Sequence, residues 1–168
     1  MTIEEAVSRV RPLDAAAMRA AEKRFSDIAM PLGGLGLLQD AIIQLAGIQR
    51  KPVPIIRPRA AVIFCADNGV VEEGVTQTGQ EVTAIVAENF LSGDTSACVM
   101  CRQCGTDVFP VDVGMVVNTK VPTDLKVAMG TKNMTKEPAM TREEAIKGLE
   151  AGIEMVRRLK EKGYTLLA

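Results

Sequence analysis

A run of seven apolar residues, Ala60–Ala66, that ends abruptly at Asp67-Asn68-Gly69 constrains the fold more than any other stretch. β-Branched Val62 and Ile63 and aromatic Phe64 favour a strand, and the lack of alternation predicts burial on both faces; so short a run is also compatible with a buried helix. Asp-Asn-Gly offers a chain reversal and a positive-φ position. The polar, glycine-rich segment Val70–Gln80 follows, and a helical pattern then runs from about Gly79 to Leu91. Strand, polar loop and helix in this order are how an open parallel sheet presents ligand-binding groups at its carboxyl edge. Asp67, Asn68, Glu72, Glu73, Gln77, Thr78, Gln80, Glu81 and Thr83 crowd that edge, beside an apolar wall of Val82, Ile85 and Val86. Apolar walls with a few hydrogen-bonding groups suit a flat heterocycle better than a phosphate. The plainer alternative is a solvated loop with an exposed acidic pair, Glu72-Glu73. The position at a strand's carboxyl end favours a site.

The rest of the chain supplies the elements such a sheet needs. Residues 2 to 29 read as helical, with Thr2 and Glu5 at capping-box spacing, an interruption at Pro12, and Asp14 capping a second helix. Met30–Gly36 is a turn. A third helix follows from Leu37 to Ile48, with Leu38, Ile42, Leu45 and Ala46 on one face, and Pro52, Pro54 and Pro58 make an extended connector. Beyond the central strand, a helix begins near Thr95 and stops before Gly105, and Val108–Val113 reads as a second strand despite Pro110. The β-α-β order favours a parallel sheet. A loop from Met115 to Met140 contains one short strand near Val127. Thr141 and Glu144 cap a last helix whose apolar stripe is Ala145, Ile146, Leu149, Ile153, Val156 and Leu159, and Tyr164–Ala168 opens another strand. The expectation is an α/β fold: a helical segment over 1–50, then the first part of a parallel-sheet domain over 51–168. A chain that stops as a strand begins points to a fragment.

Composition narrows the functional classes. The chain has 168 residues and a formal net charge of −1, without the basic face of a nucleic-acid or membrane-surface binder. No apolar run approaches the length of a membrane span, and the charged N-terminus has no signal-peptide core, so a cytoplasmic location is expected. With no histidine present, acid–base chemistry falls to carboxylates, lysines, tyrosine, cysteine or water. Cys98, Cys101 and Cys104 form a C-x-x-C-x-x-C pattern that invites a metal reading. They fall inside a good helix, where thiols at such spacing drift around the surface, and small buried side chains explain them as well. Pro31-Leu32-Gly33-Gly34-Leu35-Gly36 lacks the Lys-Ser/Thr of a P-loop and does not follow a strand, so it reads as a helix-to-helix turn.

Several segments, taken in order, resemble the amino-terminal half of the nicotinate-nucleotide–dimethylbenzimidazole phosphoribosyltransferase family. They are Pro31–Leu38, Ile42–Gly47, Phe64–Gly74, Glu81-Val82-Thr83-Ala84, Asn89-Phe90-Leu91, Val111-Asp112-Val113-Gly114, Gly130-Thr131-Lys132-Asn133 and Pro138-Ala139-Met140-Thr141. The resemblance implies a three-layer parallel-sheet (Rossmann-like) domain flanked by a smaller helical domain, a homodimer, and no metal or organic cofactor. The implied reaction joins 5,6-dimethylbenzimidazole to the ribosyl group of nicotinate mononucleotide, giving α-ribazole 5′-phosphate and nicotinate in cobalamin lower-ligand synthesis. It places Asp67, Asn68, Gly69, Thr78, Glu81, Val82 and Val86 around the aromatic base, with Lys132 and Asn133 in a possible substrate loop. Family members continue past the point where this chain stops, into a Gly-Glu-Met-Gly-Ile-Gly-Asn-Thr-type loop. The catalytic glutamate is expected beyond Ala168, so no catalytic residue is assigned here. Asn68 stands where the family usually has histidine, which bears on which base is preferred. The contrasting expectations are a non-catalytic base-binding fragment that needs a complementary chain, and a cysteine-rich metal module.

Overall fold

The computed structural model describes residues 1–31 and 33–168; Leu32, within the glycine-rich turn, lies outside the described residues. The chain divides into two compact units, Arg9–Ile56 on one hand and Met1–Ser8 with Arg57–Ala168 on the other.

The first unit is a helix pair, α2 (Ala15–Ser26) and α3 (Leu37–Gln49). Asp14 starts α2 because its Oδ1 accepts the N–H groups of Ala16 and Ala17, both at 2.9 Å, satisfying donors that have no partner within the helix. The pair closes on small residues: Ala17, Ala21, Ala46 and Gly47 are buried. A Cβ on Gly47 would come within 2.7 Å of the Met18 side chain. Of the face expected on α3, Ala46 is buried and Ile42 and Leu45 half-buried, while Leu38 is exposed.

The second unit is built on a parallel sheet in the order β2-β1-β3, formed by β1 (Arg59–Ala66), β2 (Thr106–Gly114) and β3 (Leu166–Leu167). Its helices are α1 (Ile3–Ser8), α4 (Glu81–Ser92), α5 (Ser96–Cys104) and α6 (Arg142–Glu161). The capping box expected at Thr2 and Glu5 is present, with reciprocal bonds of 3.1 and 3.2 Å, and so is that at Thr141 and Glu144, at 2.8 and 3.1 Å. Strand alternation sends Ala60 and Val62, with Phe109, Val111 and Val113, against Met155 and Leu159 of α6. Ile63 and Cys65 pack on the opposite face with Ala87 of α4, Met115 and Val121. Helices therefore cover both faces, and the fold is α/β with three layers.

Pro110 is accommodated because β2 is an edge strand. Asp112, two residues on, sends its N–H away from β1 to the Pro122 carbonyl at 3.1 Å, so the nitrogen of Pro110 faces the same outer side. Beyond Leu167 the pairing of β3 with β1 continues through Ala168, which accepts the Val62 N–H at 2.8 Å.

Three expectations are corrected. The segment near Val127 is not a strand; a single bond from its N–H to the Val113 carbonyl, at 3.0 Å, holds it to the edge. On α6 the buried row is Ala151, Met155 and Leu159, spaced by four, whereas Leu149 and Val156 of the expected stripe are 62% and 53% exposed. Nor is β1 buried on both faces throughout, since Phe64 is 46% exposed. The part of α6 nearest Phe64 carries Ala145, Gly148 and Gly152, which lack the bulk to cover it. On α5, capped by Thr95, Cys98 is buried, Cys101 half-buried and Cys104 exposed, so the three thiols occupy three different environments. Among the described residues no helix is long and apolar enough to cross a membrane.

Candidate functional site

The carboxyl ends of β1 and β2 are locked together by two buried aspartates. Asp67, 3% exposed, donates its N–H to the Gly114 carbonyl (2.9 Å) and accepts the Val116 N–H on Oδ2 (2.8 Å) and the Thr131 N–H on its carbonyl (3.0 Å). Asp112 is fully buried; its Oδ1 accepts the N–H groups of Gly114 and Met115 at 2.9 and 2.8 Å. Its Oδ2 has no hydrogen bond of good geometry, yet lies 2.9 Å from the Lys126 ammonium, which balances its charge. Both carboxylates thus serve the backbone that turns away from the strands.

The loop after β1 then meets the loop at 130–137. Gly69 begins a short 3-10 turn, Gly69–Glu73, and lies flat against the other loop: an added Cβ would approach backbone atoms of Thr131, Lys132 and Asn133 at 2.6–2.7 Å. Close approach, not a positive φ, is what demands glycine here. The left-handed positions fall at Gly74 and Gly130, with φ of 70° and 84°. Asn133 is buried; its Nδ2 donates to Glu73 Oε1 at 2.6 Å, while its Oδ1 accepts from the Thr135 N–H and hydroxyl. Hydrogen bonds from Asn133 and then Thr135, with the Lys136 charge nearby, hold the Glu73 carboxyl below its ordinary range. Glu72 pairs with Lys136 at 3.3 Å, and Lys132 with Glu137 at 2.8 Å, which raises the lysine's pKa. The acidic pair is therefore a fastening between loops, not a free solvated edge.

Among the residues expected around a base, the structure separates an inner set from an outer one. Asp67 and Gly69 are buried and hold the loops, as Asn133 does. Asn68, Thr78 and Glu81 are exposed, Val86 is 39% exposed, and Val82 is half-buried at the start of α4. The Asn68 carbonyl accepts from the Gln80 side chain at 3.2 Å, and the Thr78 carbonyl from the Thr76 hydroxyl at 2.6 Å, so the outer rim is braced through its backbone. Lys132 is exposed and engaged with Glu137.

A hollow of about 270 Å³ opens on the other side of β1, beneath α6. Phe64, Ala66 and Val113 line it from the sheet, Val127 and Ala128 from the loop, and Gly148 and Gly152 from the helix; Thr131 and Glu144 bring its hydrogen-bonding side-chain groups. Reading the sequence alone misses this lining, because Phe64 and Ala66 are counted as strand core. One signal was available: two glycines four apart, Gly148 and Gly152, inside a strongly capped helix where no turn requires them.

A parallel sheet with its loops gathered at one carboxyl edge defines an α/β protein of the ligand-binding type. Residues 10–168 match the family model DBI_PRT, described as phosphoribosyltransferase, and the chain belongs to that family. Among curated relatives, the nicotinate-nucleotide–dimethylbenzimidazole phosphoribosyltransferase of Ruminiclostridium cellulolyticum is 46% identical over 99% of this chain and 48% of its own length. That of Clostridium acetobutylicum is 41% identical over the same shares. The crystal structure of CobT from Thermus thermophilus superposes with a TM-score of 0.80 at 35% identity, covering 90% of this chain and 46% of that one. A second structure from that organism, of the nicotinate-nucleotide–dimethylbenzimidazole phosphoribosyltransferase, gives 0.82 at 35% identity, covering 92% and 48%. The chain spans about half the length of the curated relatives it matches.

Proposed function

We propose that this chain supplies the acceptor-base side of a phosphoribosyl transfer from nicotinate mononucleotide to 5,6-dimethylbenzimidazole or a related base. A ring nitrogen of the base attacks the anomeric carbon of the ribose. The glycosidic bond to nicotinate breaks with its electron pair, and the proton on the base passes to a carboxylate. Nicotinate and α-ribazole 5′-phosphate result. The names of the relatives support this reaction.

The observation that carries the assignment to the base side is electrostatic. Three of the four lysines between Met115 and Met140 are engaged, Lys126 with Asp112, Lys132 with Glu137, and Lys136 with Glu72 and Glu73, while Lys120 is exposed. A ribose phosphate would have to compete with a carboxylate for each of the three engaged lysines, whereas an uncharged ring needs only apolar walls and a few polar groups. On this reading Asn68, Thr78, Glu81, Val82 and Val86 border the base, and Asp67, Gly69 and Asn133 hold that border in place. Lys132 fastens its loop. The donor side and the proton acceptor come from polypeptide equivalent to the relatives' remaining length, and the complete enzyme works as a cytoplasmic homodimer.

Nicotinate release measured with both substrates tests this. The chain alone is expected to show background turnover, and mixing it with the second half of the Ruminiclostridium cellulolyticum relative is expected to raise it. Robust turnover by the chain alone would contradict the division of the site.

A further inference from the structure

Resting on the base-side reading, we infer that Glu73 is a positioning residue for the acceptor base: engaged with the neighbouring loop rather than with the ring, it holds the exposed segment that carries Thr78. That segment, residues 74–79, leads from the short 3-10 turn toward α4 and is exposed along its whole length, so no packing fixes it. Among the described residues no hydrogen bond joins Val75–Gly79 to another segment; the Thr76 hydroxyl reaches only the Thr78 carbonyl, at 2.6 Å. Such a stretch loses conformational entropy whenever a base binds beside it, and the loss is smaller the more firmly its ends are already held.

The two ends are tied differently. At the far end the Gln80 side-chain amide donates to the Asn68 carbonyl at 3.2 Å, a bond between neutral groups on an exposed surface. At the near end Glu73 Oε1 accepts from the Asn133 amide at 2.6 Å and from the Thr135 hydroxyl at 3.2 Å, with the Lys136 ammonium at 3.6 Å. Bonds to an ionised acceptor are shorter and roughly twice as strong as neutral ones, so Glu73 is the firmer tie. Its principal donor is itself fixed. Asn133 is buried, its Oδ1 accepts the Thr135 N–H at 3.1 Å, and its carbonyl accepts the Lys136 and Glu137 N–H groups at 3.0 and 3.1 Å.

The loop at 130–137 thereby reaches the base border at two points. It is joined to the end of β1 by the Thr131 N–H on the Asp67 carbonyl, at 3.0 Å, and by the Gly69 N–H on the Thr131 hydroxyl, at 3.2 Å. Asn68 lies between those two bonds, and Thr78 lies between the ties made by Glu73 and Gln80. Loss of Glu73 leaves the bonds around Asn68 intact and frees the segment around Thr78. Glu72 cannot replace it, because its pair with Lys136, at 3.3 Å, joins two exposed side chains and is screened by solvent.

Calorimetric titration of the chain with 5,6-dimethylbenzimidazole tests this, with circular dichroism melts to establish that each variant is folded. Glu73→Leu is expected to weaken binding about tenfold, the factor that one hydrogen bond to a charged group amounts to. Asn133→Asp, which sets a second carboxylate against Glu73, is expected to weaken it at least as much. Adding Glu73→Gln to Asn133→Asp exchanges donor and acceptor and is expected to recover most of the affinity, a rescue that general loosening of the fold would not give. Arg157→Leu, which removes ion pairs with Glu154 and Glu161 on α6 and none with the two loops, is expected to leave affinity unchanged. Full affinity in folded Glu73→Leu, or no recovery in the folded double variant, overturns the positioning role and leaves the base-side reading intact. Absence of base binding by the unaltered chain defeats that reading, and the positioning role with it.

Discussion

Lys126→Met is expected to destabilise the chain by about 3–5 kcal/mol, the usual cost of leaving one member of a buried ion pair without its partner. Asp112 is fully buried, and Lys126, whose side chain is 12% exposed, is the cation at its Oδ2. Without that cation the carboxylate keeps its two backbone donors on Oδ1 but retains an uncompensated charge in the interior. Urea unfolding checks this: the midpoint should fall with little change in slope. Lys126→Met combined with Asp112→Asn should recover part of the loss, because the amide oxygen still accepts from Gly114 and Met115 while the charge is gone. If the single variant were as stable as the unaltered chain, the pair would not be what holds the end of β2.

Gly69→Ala is the second large effect. Its methyl group would need to displace the backbone of Thr131, Lys132 and Asn133, which unlike a side-chain tip cannot rotate aside. Overpacking of this kind costs about 1–3 kcal/mol. The displacement would also pull Asn133 from Glu73 and Thr131 from the Gly69 N–H. Gly74→Ala makes the contrast. There the added Cβ meets nothing within 4 Å and the cost is backbone strain at φ 70°, so the loop at 130–137 stays where it is. Hydrogen exchange should separate the two: amides of residues 131–135 lose protection in Gly69→Ala and keep it in Gly74→Ala, at comparable losses of global stability.

What could be read from the sequence was local. Asp14, Thr95 and the Thr2/Glu5 and Thr141/Glu144 boxes act on backbone groups within three residues, so a short window contains all of their physics. The strand at 59–66 and its loop were likewise legible, because an uninterrupted apolar run followed by Asp-Asn-Gly has few other uses. The roles inside the loop were not. Asp67 has the composition of a ligand-binding residue, yet its carboxylate serves Val116, far along the chain. Asn133 is drawn inward by Glu73, and Gly69 is required by a loop brought over it only in the folded state. Phe64 shows the converse. Its exposure depends on two glycines in a helix many residues later, and no pattern around Phe64 announces them. Pairwise tertiary contacts decided which polar groups face inward.

The claim that the chain carries the acceptor side of a two-substrate site is tested most directly by two calorimetric titrations of the isolated chain. One uses 5,6-dimethylbenzimidazole and the other nicotinate mononucleotide. Saturable binding of the base with no heat from the nucleotide is the predicted result. Saturable binding of the nucleotide with none of the base would contradict the account.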